Sequence, residues 1–165
     1  NALSSVQVPA ITTAQLAQFS TTQLGGISTA GIKGMTTAQL VALGTAQVPG
    51  FTTTQLGALS TTQLAAMETA DIAALTTAQV RAFSTAQISG LTTAQVLALT
   101  TAQIPALSTT QMAGLRTAQI AALSTAQVAA LETADIKALS NAQVAGFTST
   151  QLAAMTSAQV NALFA

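Results

Sequence analysis

The chain has 165 residues, half of them hydrophobic and only 5% charged, and its four cationic and four anionic side chains cancel to zero net charge. It contains no His, Cys, Trp or Tyr. A basic footprint for nucleic acid is therefore excluded, as are a disulfide framework and the usual ligand sets for zinc, haem and iron–sulfur clusters.

Asn1-Ala2-Leu3 opens without an initiator Met or a signal peptide and already lies inside a repeat, so the chain reads as a piece of a longer one. From residue 3 to residue 162 there follow 20 octets without an insertion, and residues 1–165 read as one continuous array. Position one, from Leu3 and Ile11 to Leu163, is always Leu, Ile, Phe or Met, and position six, from Val8 to Val160, is always Val, Ile, Leu or Met. Position two is Ser or Thr except at Gly44, Glu68, Arg116 and Glu132. Position five is Gln except at Gly31, Asp71 and Asp135, and position eight is Ala or Gly except at Gln18. Position seven admits Pro9, Lys33, Val41, Arg81, Leu97, Pro105 and Asn161, the tolerance of a solvent-facing site.

Each octet carries its own helix-start signal. In Leu123 to Ala130, Ser124 followed three residues later by Gln127 is a capping box, and Leu123 with Val128 has the spacing of a hydrophobic staple. A start every eight residues predicts helices of about one and a half turns, too short to stand alone and held by their neighbours. The expected fold is all-α, a solenoid of very short helices. Positions one and six should form a large-residue side, and positions four and eight a small-residue side that admits a neighbouring backbone. A single long helix fails, because eight residues overshoot two turns by about 80° and the apolar residues would spiral. A β-solenoid with two repeats per coil is the alternative, although positions one and six differ in parity along a straight strand. Phe19, Phe51, Phe83 and Phe147 recur at multiples of 32 residues, which fits a turn of four repeats, or two, and equally fits duplication of a four-octet block.

No constellation points to catalysis. The carboxylate pairs Glu68 with Asp71 and Glu132 with Asp135 suggest a calcium site or an acid–base pair at most. Calcium wants six to eight oxygens, and acids near a helix start account for both pairs. Without His, a nucleophilic Ser would need Lys33 or Lys137 buried beside it, and both occupy position seven. Gly25-Gly26 and Gly31 to Gly34 open no phosphate-binding loop. No catalytic, cofactor-binding or metal-binding residue is expected, and no small-molecule substrate. Polar residues break every apolar stretch before the roughly 20 residues of a membrane span. Stacked octets should align the Thr of positions two and three into hydroxyl ladders, a candidate surface for ice, glycan or a protein partner, although capping alone explains the preference.

The unit Leu91 to Ala98, Leu-Thr-Thr-Ala-Gln-Val-Leu-Ala, resembles the octapeptide arrays of very large repetitive proteins of proteobacteria, adhesin-like or labelled as haem-utilisation proteins. The resemblance spans essentially the whole chain and implies a secreted or cell-surface location and an extended structural role. Its haem label finds no iron ligand here. The start of the unit is also similar to the Leu-Thr-Pro-x-Gln-Val opening of TAL-effector repeats, but their length of about 34 residues and their base-reading loops are lacking, so DNA binding is not carried over. The expectation is a non-enzymatic structural segment, a stalk, fibre or sheath, that self-associates because its surface carries little charge to resist contact.

Overall fold

The computed structural model describes residues 3–164. Among them are 17 α-helices of four to six residues, three 3-10 turns and no strand. The chain is an all-α solenoid of short helices, one per octet, and the β-solenoid is set aside.

One octet shows how the sequence dictates this. Helix Thr53–Ala58 begins after Thr52, whose hydroxyl accepts from the Gln55 N–H at 3.2 Å while Gln55 Oε1 accepts from the Thr52 N–H at 2.7 Å. The helix stops at Leu59 (φ −63°, ψ 139°), and Ser60 (φ −70°, ψ 159°) caps the next. Positions one and two thus form a two-residue extended corner near polyproline geometry. No described residue has positive φ, so the corner needs no glycine. The Leu59 N–H still reaches the Leu56 carbonyl at 3.2 Å, which closes the helix end.

Proline at position seven changes the turn without changing the register. Val8–Ala10, Val48–Gly50 and Ile104–Ala106 are 3-10 turns with Pro in their first positions. Proline has no N–H for the bond back to position three. The tighter turn replaces it, and Phe51 N–H still closes on Val48 O at 3.1 Å.

The fold divides into two compact units, residues 1–83 and 84–165. In the first, helices three octets apart pack together: Thr21–Gly25 on Val48–Gly50, Thr29–Gly34 on Thr53–Ala58, and Thr37–Val41 on Thr61–Ala66. The second follows the same rule, with Thr109–Ala113 on Thr133–Lys137 and Thr117–Ala121 on Asn141–Val144. Within each unit, hydrogen bonds between coils span 25 to 31 residues. The centre of that range is about 28 residues, so a coil takes about three and a half octets. The 32-residue Phe rhythm therefore matches neither a four-repeat nor a two-repeat turn.

The core is built from positions one and six. Val8, Leu56, Ile72, Val96 and Ile120 are fully buried at position six, and Phe51, Leu75, Leu91 and Leu123 nearly so at position one. Each such side chain contributes about 2 kcal/mol by leaving water. The expected small-residue side divides in two. Position eight does admit a neighbouring backbone, and a Cβ on Gly50 would lie 2.5 Å from Thr21 Cα. Position four is exposed instead, as at Ala38, Ala78 and Ala118.

Candidate functional site

The most elaborate chemistry lies at position five. From Gln55 onward the Gln side chain there is buried, with Gln55 at 2% exposure and Gln119 at 0%. Its two polar atoms do different work. Oε1 accepts from the position-two N–H of its own octet, as Gln119 does from Arg116 at 2.7 Å. Nε2 donates to carbonyls of the preceding coil: Gln119 reaches Ile88 O at 2.9 Å and Leu91 O at 2.8 Å, and Gln127 reaches Val96 O at 3.0 Å and Leu99 O at 2.6 Å. The first unit repeats the pattern with Gln39 on Val8 and Ile11, Gln55 on Leu24 and Ile27, and Gln63 on Ile32 and Met35.

A helix leaves N–H groups unpaired at its start and carbonyls unpaired at its end. One Gln satisfies both kinds of orphan, its own helix's start and a neighbouring helix's end. Buried amides and carbonyls left unpaired cost about 1–3 kcal/mol each, so this side chain locks one coil onto the next. Reading the octet for its capping box missed this second half. A signal was present in the sequence: Glu serves a capping box as well as Gln, yet no octet carries Glu at position five. Of the two, only Gln can accept at one end and donate at the other.

Position two adds a lesser link. Ser28 Oγ donates to Leu3 O at 2.6 Å, and the Arg116 guanidinium donates to Leu91 O at 3.0 Å. Arginine has no acceptor, so Arg116 exchanges the hydroxyl cap for this reach into the preceding coil.

The structure separates the members of each carboxylate pair. Glu68 and Glu132 are exposed at the cap, whereas Asp71 (1% exposed) and Asp135 (3%) point inward at position five. Asp71 Oδ1 accepts from Thr45 Oγ1 at 3.2 Å, and its Oδ2 is buried without a hydrogen-bond partner. Asp135 Oδ2 accepts from the Glu132 N–H at 3.3 Å. Burial pushes both carboxyls above the usual aspartate range, against the opposing pull of these hydrogen bonds, and the neighbouring Glu adds to the rise. Among the described residues no group of three or more His, Cys, Asp or Glu could hold a metal.

Lys33 and Lys137 lie at the surface, as position seven required. Lys33 borders a shallow groove with Met35, Thr37, Ser60 and Thr62, which offers hydroxyls but no buried base. The Thr of position three is exposed. Because a coil is a half-integral number of octets, Thr45 meets position-five Asp71, and Thr21 meets position-eight Gly50. No described helix is long and apolar enough to cross a membrane.

No curated protein and no solved structure matches the chain. The model of the ALTTAQ repeat family matches five times, over residues 16–53, 37–68, 64–101, 96–133 and 128–164. Those matches overlap from Leu16 to Phe164, and the chain belongs to the ALTTAQ repeat family.

Proposed function

We propose that the chain is a structural segment, a stalk, fibre or sheath element of a secreted or cell-surface bacterial protein, and that it is not an enzyme. One observation carries this reading: the bonds that join coil to coil are made by a residue present in nearly every octet, so the array extends by adding octets. Length is then a free parameter, which suits a spacer better than a catalyst. The surface supports it as well, with exposed Ala, Ser and Thr and few charges. Such a surface offers little electrostatic resistance to association, and copies of the segment associate laterally or end to end. Electron microscopy and light scattering of the purified segment test the proposal. Filaments or oligomers are expected, and a monomer that persists at high concentration overturns the self-association.

A further inference from the structure

At position five the side chain must do more than cap. Within each unit, Gln at this position presents N–H donors to carbonyls 31 and 28 residues earlier, as Gln119 and Gln151 do. At Asp71 those register positions are Leu40 and Leu43, and at Asp135 they are Ile104 and Leu107. A carboxylate only accepts, whereas a carboxylic acid carries one O–H to donate. An ionised Asp would set acceptor against acceptor in a buried place. We propose that Asp71 and Asp135 are proton-operated latches: each closes its coil onto the preceding one by donating a carboxyl O–H where other octets donate an amide N–H, and loosens when the proton leaves.

Three observations converge on this. Asp71 is 1% exposed, and its Oδ2 has no partner, which is the atom left to carry a proton once Oδ1 has accepted from Thr45. Among the described residues, the charged group that acts on each carboxyl is an acid, not a cation. Glu68 faces Asp71 and Glu132 faces Asp135, both acidic. The turn Val48–Gly50 packed on the Asp71 helix has no titratable residue, nor have the helices Thr109–Ala113 and Ser157–Ala162 packed on the Asp135 helix. More widely, residues 34–67, 82–115, 117–131 and 138–165 contain no titratable side chain at all, and Lys137 is exposed at position seven. The two latches also fall at the same place in octets that share the segment Glu-Thr-Ala-Asp-Ile, at 68–72 and 132–136.

The raised carboxyls fix the sign. A group that holds its proton more tightly when folded gives stability that is complete below its unfolded value, near 3.8, and is lost as pH climbs through the folded value. The chain therefore melts higher in mild acid than near neutrality, the reverse of the usual carboxylate trend. The absence of His leaves this window uncluttered.

The test is thermal melting of the full 165-residue chain between pH 4 and pH 8. The wild type is expected to lose several degrees of Tm as pH rises. The double variant Asp71→Gln with Asp135→Gln should show a flat profile and match or exceed the wild type at pH 8. Glu68→Gln with Glu132→Gln should keep most of the slope, because burial and not the neighbouring Glu is the larger cause of the rise. Carboxyl-carbon NMR of the unsubstituted chain reads the same point directly, with both aspartates titrating above the usual aspartate range. A flat wild-type profile, a slope that survives the aspartate replacement, or aspartates titrating in the ordinary range overturns the proposal. So does recovery of the pH 8 Tm by calcium, sodium or potassium salts at matched ionic strength, which would make a metal cation, not a proton, the occupant.

Discussion

Two adjacent octets of the second unit, Leu123 to Ala130 and Leu131 to Ala138, share a backbone and differ in their joint. Gln127 takes the Ser124 N–H at 2.8 Å and gives its own protons to Val96 and Leu99. Asp135 takes the Glu132 N–H at the longer 3.3 Å and has no amide to give. Both helices still run five residues, and both side chains are buried to within a few per cent. The helix is thus specified by the octet's own start signal and its aliphatic pair. The attachment to the coil beneath is a separate property that position five alone decides.

The comparison can be broken most severely by Gln127→Glu at pH 8. The substitution keeps the shape and the capping acceptor, removes the donors and buries a charge against two carbonyls. A loss of about 3 kcal/mol is expected, read by thermal or urea denaturation, and much of it should return in mild acid. Gln127→Ala leaves the Ser124 N–H and the carbonyls of Val96 and Leu99 unpaired, for a loss of about 2 kcal/mol. Faster amide exchange at Ser124 should accompany it. Asp135→Gln sharpens the comparison in the other direction and should stabilise by about 1 kcal/mol near neutrality, with the gain shrinking in acid. Ser124→Ala removes only a cap and should cost about 1 kcal/mol. Gln15→Ala should cost the least, about 0.5 kcal/mol. Gln15 caps Thr12 at 2.9 Å and is exposed, whereas Gln127 is buried. Equal losses at Gln15 and Gln127 would show that capping, not the link between coils, carries the energy.

The helix of each octet was legible from Ser124, Gln127, Leu123 and Val128 alone, because capping and stapling act within eight residues. Burial of positions one and six and exposure of position seven followed from the pattern of tolerance. The joint was not legible in the same way. Whether Gln127 Nε2 finds a partner depends on which carbonyls lie beneath it, and that depends on octets per coil, a quantity set by packing between segments remote in sequence. The Phe19, Phe51 and Phe83 spacing fitted a turn of four octets, or two, as well as a duplicated block, whereas contacts within each unit give about three and a half. The buried state of Asp71 and Asp135 was hidden for the same reason. A helix-start acid reads as solvent-facing until a coil covers it.

The half-integral coil has a consequence for how such an array can change over generations. Each joint uses main-chain oxygens as its acceptors, and every octet supplies those whatever its side chains are. Loss or gain of one whole octet shifts which unit lies beneath which, but each amide still meets an equivalent trio of oxygens. Copy number can therefore drift by unequal recombination without a folding penalty at the seam. A deletion that is not a whole number of octets would misalign a joint in every coil that spans it.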